Sequence, residues 1–87
     1  MIRIVRLETL APTTLRLTFD DGVVKMLDVR PFISDNPLTA PLADPAYFAQ
    51  PALYPRGRGV YWPNDYDMCP DWLRYHAPAI EESVVSA

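Results

Sequence analysis

Prolines are spread along the whole chain, and they limit the length of every element that it can form. Ten of the 87 residues are proline, about twice the usual share of about 5%. Each proline removes a backbone donor and marks the start or the end of a helix or strand. Because the prolines are spaced and not clustered, they indicate a domain of many short elements and not a proline-rich linker.

Length and charge narrow the classes of protein further. A chain of 9.9 kDa buries only roughly 60–65% of its extended surface, which leaves no room for separate cofactor and substrate domains. Eight basic and eleven acidic residues give a net charge of −3. We therefore expect no nucleic-acid binding by the chain on its own and no binding to anionic membranes, since both need a basic face.

The chain has few cysteine and histidine residues, and its apolar runs are short. One cysteine and one histidine exclude a disulfide framework within the chain and the common structural zinc sites. No apolar run exceeds four residues, so the sequence predicts neither a transmembrane helix nor a signal peptide. The expected location is the cytoplasm.

A β-hairpin in the N-terminal third is the clearest local signal, and a first strand is expected over residues 2–7. Apolar and polar residues alternate from Leu15 to Phe19, the period-two pattern of a half-buried strand. Asp21-Gly22 follows, a pair that favours a two-residue type I′ turn, in which both central residues have positive φ. Residues 23–29 are predicted to form the returning strand.

The loop length decides which residues of the hairpin face each other. A two-residue loop would pair Phe19 with Val24 and Leu17 with Met26 on the apolar face. Lys25 would then lie on the other face of the hairpin.

In the same register, Asp28 falls on the apolar side, opposite Leu15. A carboxylate in that position is costly unless hydrogen bonds satisfy it. We predict that Asp28 caps the turn over residues 30–33, because aspartate commonly accepts bonds from backbone N–H groups ahead of a turn. A role in a functional site is the alternative.

The middle of the chain predicts a short helix and a second hairpin. Asp44 is a good N-cap, and Pro45 loses nothing at the first helical position. Pro51 is expected to stop this helix after about two turns. Residues 53–62 are typical of a hairpin that turns at residues 56–59.

A second short helix is expected between Pro70 and Pro78. The predicted order is therefore β-β-β-α-β-β-α, an α+β domain with an antiparallel sheet of two hairpins plus an N-terminal strand. We predict one domain over residues 1–76. Residues 77–87 lack strong structure signals and are predicted to be a flexible C-terminal tail.

Cys69 and His76 are the one nucleophile–imidazole pair that the chain contains. Helical spacing puts them on one face but about 10 Å apart along the axis, whereas a working pair needs contact near about 3 Å. The chain also lacks a glycine-rich phosphate loop and a Gly-x-Ser-x-Gly element. We therefore expect no enzyme activity, no catalytic residues and no cofactor.

Three acidic residues, Asp65, Asp67 and Asp71, lie close together in the sequence. Asp65-x-Asp67 resembles the opening of a calcium loop, but the later ligands and the central glycine of an EF-hand do not follow. We therefore predict no metal site, and turn and cap roles for these carboxylates. An oxygen-rich cation site is the alternative.

Arg56 and Arg58 flank a glycine beside Tyr54 and Tyr61. Basic and aromatic residues interleaved in this way can bind single-stranded nucleic acid. Two arginines in an acidic chain favour the simpler interpretation, a solvated hairpin tip.

Aromatic residues crowd the last third of the chain. Most should form core, while those left exposed would form an interface, where Trp and Tyr are enriched. The candidate interaction surface consists of Tyr61, Trp62, Asp65, Tyr66, Asp67, Trp72 and Tyr75.

The order and spacing of several segments resemble a small bacterial family, domain of unknown function 2442. The segments that carry the resemblance are residues 15–22, 28–32, 42–48, 61–68 and 70–73. Together they cover roughly residues 2–76. Asp65-Tyr66 stands where many members are expected to have a glycine, so the turn after Trp62 is expected to differ in detail.

The resemblance implies a small α+β fold with an antiparallel sheet and no established enzyme activity. Some members look like the first half of a protein with a helix-turn-helix domain. Others are similar to short proteins encoded beside domain of unknown function 4160, in arrangements that suggest toxin–antitoxin pairs.

We therefore predict a cytoplasmic protein-interaction module, the acidic partner of a small basic protein in a toxin–antitoxin-like pair. Negative charge and aromatic side chains without a catalytic constellation favour this function. A ligand- or cation-sensing regulatory domain without catalytic activity is the alternative. A homodimer would also cover exposed aromatic residues.

Overall fold

Seven strands and two α-helices make up the part of the chain that the computed structural model describes, residues 2–84. In chain order they are β1 (Ile4–Leu10), β2 (Thr14–Phe19), β3 (Val23–Asp28), α1 (Pro45–Phe48), β4 (Ala52–Leu53), β5 (Val60–Tyr61), β6 (Asp67–Met68), α2 (Pro70–Tyr75) and β7 (Glu81–Val84). Single 3-10 turns lie at Arg30–Phe32, Ala40–Ala43 and Pro55–Gly57. No helix within residues 2–84 has the length and apolar character needed to cross a bilayer.

The strands form two antiparallel sheets, and the predicted α+β class is confirmed. The larger sheet has the order β1-β2-β3-β7, and the smaller has the order β4-β5-β6. The predicted second hairpin is β4 with β5, in which Leu53 faces Val60. Its strands form a sheet of their own instead of joining the first hairpin. β6 and β7 are absent from the predicted order of elements.

The turn of the first hairpin has three residues, Asp20 to Gly22, and not the predicted two. Gly22 has φ 88°, while its N–H donates to Phe19 O at 3.0 Å. This geometry is a reverse turn followed by a left-handed glycine. Asp21 keeps a negative φ, and its carboxylate accepts from Val23 N at 3.2 Å. The type I′ prediction is therefore wrong.

The longer turn moves the hairpin register by one residue and exchanges the faces of β3. Leu17 pairs with Lys25 and Thr18 with Val24, in place of the predicted pairing of Phe19 with Val24. Lys25 therefore lies on the core side and is only 4% exposed. Because a slip of one residue turns every side chain to the opposite face, one extra loop residue accounts for the whole difference.

Lys25 is satisfied by the end of α2. Its Nζ donates to Leu73 O at 2.8 Å and to Arg74 O at 3.3 Å. These carbonyls belong to the last turn of α2, where a cation also interacts favourably with the helix dipole. Burial lowers the pKa of Lys25 below its usual value of 10.5. The single lysine of the chain thus fastens α2 to the main sheet.

Asp28 caps the end of β3, as predicted, although it faces Thr14 and not Leu15. Its carboxylate accepts from Thr13 Oγ1 at 2.7 Å and from Arg30 N at 2.9 Å. The bond from Thr13, and then that from Arg30 N–H, hold the pKa of Asp28 below its usual value. The carboxylate therefore fixes the start of the 3-10 turn at Arg30–Phe32.

Both helices begin where the sequence indicates. Asp44 caps α1 by accepting from Ala46 N at 3.0 Å, and Pro45 is its first residue. Pro70 is the first residue of α2, which ends at Tyr75, three residues before Pro78. The amine of Lys25 stabilises that last turn by donating hydrogen bonds to two of its backbone carbonyls.

The core joins the two sheets and both helices. Its largest fully buried side chains are those of Trp62, Phe19, Phe48, Ile4, Leu15, Leu17, Leu27, Leu42, Leu73, Val29 and Val60. The indole N–H of Trp62 donates to Phe48 O at 3.1 Å. This bond and the burial of the large indole connect α1 to the segment that follows β5.

Part of the predicted tail, residues 77–87, belongs to the main sheet. Residues 81–84 form β7 along the edge of β3, where Val23 faces Val84. All four residues of β7 are exposed, so the strand carries no alternating pattern that the sequence could reveal. Residues 85–87 lie outside the described residues.

We expect Lys25→Met to lower the free energy of unfolding by about 1–3 kcal/mol, because the carbonyls of Leu73 and Arg74 lose a buried donor. Urea denaturation measures the change. The matched control is Arg16→Met at an exposed position of β2, expected to change stability by less than about 0.5 kcal/mol. Equal midpoints for Lys25→Met and the wild type would contradict the bond between Lys25 and α2.

The lowered pKa of Asp28 predicts that the protein loses stability in acid. Its lowered pKa means that the ionised form stabilises the fold fully above the unfolded value of about 3.8, and that this contribution disappears as pH falls through the folded pKa. Unfolding free energies measured from about pH 6 to about pH 2 should fall more steeply for the wild type than for Asp28→Asn. Thr13→Val, which removes the donor, should reduce the same slope. Parallel profiles in all three proteins would refute the assignment.

Candidate functional site

A groove of about 360 Å³ opens between the 3-10 turn that follows β3, strand β6 and the start of α2. We call it the aromatic groove. It is lined by Phe32, Tyr66, Asp67, Met68, Cys69 and Trp72. Its volume falls within the range of about 300–1,000 Å³ that is usual for ligand pockets.

The aromatic walls of the groove are held by contacts with one another and with the core. The rings of Phe32 and Trp72 meet edge to face, with centroids 5.4 Å apart and planes at 76°. The ring of Tyr66 lies 6.1 Å from that of buried Trp62. Each of the three lining rings is only partly buried, so the groove presents an ordered apolar surface to solvent.

The turn before β6 sets the position of Tyr66. Asp65 N donates to Trp62 O at 2.9 Å, and Asp65 has φ 69°. Asn64 Oδ1 accepts from Tyr66 N at 3.2 Å, and its amide nitrogen donates to Leu38 O at 3.1 Å. The left-handed residue of this turn is Asp65, at the place where the resemblance suggests glycine. Aspartate tolerates that conformation better than most side chains.

One acidic residue, Asp67, lines the groove, and two more are neighbours of lining residues in the chain. Asp67 accepts from the hydroxyl of Tyr54 at 3.0 Å, and this bond raises the pKa of Tyr54. Burial, followed by the charge of Asp67, raises the pKa of Tyr66. Asp65 and Asp71 are exposed next to lining residues in the chain. We call Asp65, Asp67 and Asp71 the acidic rim.

The structure brings together some of the residues of the predicted interaction surface. Tyr66, Asp67 and Trp72 line the aromatic groove, and Asp65 belongs to its acidic rim. Trp62 is 0% exposed, so its assignment to a surface is wrong. Its indole fits the core because Phe48 O satisfies the ring N–H.

The two remaining predicted residues lie outside the groove lining. The ring of Tyr61 stacks on Tyr54, with centroids 4.5 Å apart and planes at 25°. Tyr75 is 61% exposed on α2, and the guanidinium of Arg74 lies 5.1 Å from its ring centroid. Tyr61 therefore adjoins a different pocket, and Tyr75 points away from the core.

Sequence reasoning missed Phe32, Met68 and Cys69 as lining residues. Phe32 is more than thirty positions from the rest of the groove, and no periodic signal connects it with Trp72. Met68 and Cys69 fall between the predicted Asp67 and Trp72, so continuity along the chain could have suggested them. Only the packing of the 3-10 turn against α2 reveals Phe32.

Cys69 and His76 stand at opposite ends of α2. Cys69 is the residue before its first turn, and His76 follows its last residue. Both side chains are exposed. Within residues 2–84, His, Cys, Asp and Glu form no group of three or more that could hold a metal ion.

Comparison with known protein families shows which family the chain matches. A family model described as "Protein of unknown function (DUF2442)" matches residues 4–79. This match confirms the resemblance drawn from the sequence and includes every residue that lines the aromatic groove. No curated protein and no solved structure matches the chain significantly.

The left-handed conformation of Asp65 can be tested by substitution. We expect Asp65→Val to lower the free energy of unfolding by about 1–2 kcal/mol, since a branched side chain is strained at positive φ. Asp65→Gly should be neutral or stabilising, because glycine adopts this conformation freely. Thermal and urea unfolding report both changes. The matched control, Asp71→Val in α2, should lower the free energy of unfolding by less than about 1 kcal/mol. Equal effects of valine at the two positions would contradict the turn geometry.

Proposed function

We propose that this chain, which belongs to the DUF2442 family, is a protein-interaction module whose aromatic groove binds a basic segment of a partner protein. The observation that carries the proposal is the combination of three ordered, partly exposed aromatic rings with an acidic rim. Neither feature alone would define a partner. Together they specify one with apolar and basic side chains.

The apolar part of the groove supplies the binding energy in this proposal. Trp, Tyr and Phe are enriched in the buried centres of protein interfaces and dominate their energetics. Phe32 and Trp72 already support each other edge to face, and Tyr66 rests against the core. Because these rings are ordered before binding, little conformational entropy is lost when a partner covers them.

The charges select the partner. The chain has a net charge of −3. Asp67 lines the groove, and Asp65 and Asp71 are exposed next to lining residues in the chain. A lysine or arginine of the partner would be attracted to this rim, and could also lie over the face of the Trp72 ring. Opposite charge accelerates association and disfavours acidic proteins.

A small basic protein fits this surface, and we propose that the two form a toxin–antitoxin-like pair. The negative charge of the chain and the likeness to short proteins encoded beside a second small protein support this form of the proposal. In it, the chain covers a basic surface of its partner. The chain contributes binding and no chemistry.

The test is a pull-down of the tagged chain from its own host at native expression, with partners identified by mass spectrometry. We expect one small basic protein at near-stoichiometric amounts. Asp65→Asn with Asp71→Asn should reduce its recovery by about tenfold or more, as the loss of two charges at an interface predicts. Trp72→Ala should do the same by removing a central aromatic contact.

The matched control is Asp35→Asn with Glu81→Gln, which removes the same charge at exposed positions that do not line the groove. This double variant should recover the partner as well as the wild type does. Recovery of the chain alone would contradict the proposal. Equal loss in the groove variant and the control would also contradict it, because the effect would then follow net charge and not the site.

A further inference from the structure

A second pocket, separate from the aromatic groove, lies beside the turn of the second hairpin. Its volume is about 390 Å³, and it is lined by Tyr54, Pro55, Arg56 and Arg58. We call it the arginine pocket. We infer that it binds a small aromatic anion, a planar ring that carries a carboxylate or phosphate.

The backbone that forms this pocket is fixed on both sides. Gly57 N donates to Tyr54 O at 3.0 Å, and Tyr54 N donates to Gly59 O at 3.0 Å. Gly57 lies so close to β1 that a Cβ there would collide with the backbone oxygen of Ile4. The loop is therefore ordered against the main sheet, which presents the pocket without a folding step.

Arg56 occupies a strained position in this loop. It has φ 64°, a left-handed conformation that costs a non-glycine residue of order 1 kcal/mol or more. Glycine would fit there without strain, as it does at the next residue, Gly57, with φ 67°. A long cationic side chain in this conformation at the wall of a pocket points to binding, since strain of this kind concentrates at ligand sites.

The two arginines are available for an anion. Within residues 2–84, the ion pairs are Arg6 with Glu8 and Arg74 with Asp21, and neither includes Arg56 or Arg58. Both side chains are exposed at the pocket. Guanidinium groups bind carboxylate and phosphate through paired N–H donors, which neutral side chains cannot reproduce.

The Tyr54 ring provides a flat apolar surface for the rest of the ligand. The ring stacks on Tyr61 and lies close to Gly59. Its hydroxyl donates a hydrogen bond to Asp67 at 3.0 Å. Asp67 places negative charge at the hydroxyl end of the ring, so the anionic group of a ligand would be directed toward the arginines. A ring stacked between an aromatic face and a guanidinium gains from both.

The experiment is an NMR titration of the full chain with phenyl phosphate and with benzoate at constant ionic strength. The chain has three glycines, whose amide signals are well separated from others. We expect shifts at Gly57 and Gly59, which belong to the pocket loop, and none at Gly22, which lies in the first hairpin. Benzyl alcohol, a ring without charge, and inorganic phosphate, a charge without a ring, should each bind about tenfold more weakly or worse.

Two variants test the arginines. Arg56→Gly removes one guanidinium and relieves the strain, so weaker binding could not be attributed to unfolding. Arg58→Gln removes the other. Each should weaken phenyl phosphate binding by about tenfold, whereas Arg16→Gln on β2 should leave it unchanged.

Several results would overturn the inference. One is a set of shifts at Gly22 as large as those at Gly57 and Gly59, which would indicate unspecific association. Another is equal binding of benzyl alcohol and phenyl phosphate. A third is an unchanged dissociation constant in both Arg56→Gly and Arg58→Gln. None of these measurements tests binding to the aromatic groove. Failure of this inference would therefore leave the proposed function of the groove unaffected.

Discussion

The side chain of Trp62 connects α1, the core and the wall of the aromatic groove. Trp62 follows β5 in the chain, and its side chain lies in the core. Its indole N–H donates to Phe48 O of α1. Its ring lies 5.9 Å from that of Phe48 and 6.1 Å from that of Tyr66. The short elements that the prolines impose are too small to be stable alone. Burial in a shared core, of which Trp62 is the largest member, holds them together. Tyr66, which packs beside Trp62, forms one wall of the aromatic groove.

The attachment of α2 to the main sheet depends on the turn of the first hairpin. The left-handed Gly22 lengthens the loop to three residues, and this places Lys25 on the core side of β3. There the amine holds the last carbonyls of α2. Since α2 carries Trp72, the position of a groove wall depends on the loop length of a hairpin more than forty residues away. The cost of burying an amine is offset by its two carbonyl bonds.

Two pockets of opposite charge lie on either side of one hydrogen bond. The hydroxyl of Tyr54 donates to Asp67, so the ring lines the arginine pocket while the carboxylate lines the aromatic groove. A change at either residue would affect both surfaces. We propose a basic protein segment as the ligand of the acidic side and a small anion as the ligand of the arginine side.

The sequence by itself determined the features that depend on neighbouring residues. The alternation in β2, the cap at Asp44 and the prolines that start both helices could be inferred, because their causes lie within a few positions of each other. The family could be inferred from the order and spacing of several segments along the chain. Tertiary structure alone decided the register of the hairpin, the added strand β7 and the place of Phe32 in the groove. A type I′ turn and a three-residue turn are both compatible with Asp21-Gly22, and only packing selects between them. Trp62 illustrates the same limit, since composition identifies an aromatic residue but only burial decides whether it is core or surface.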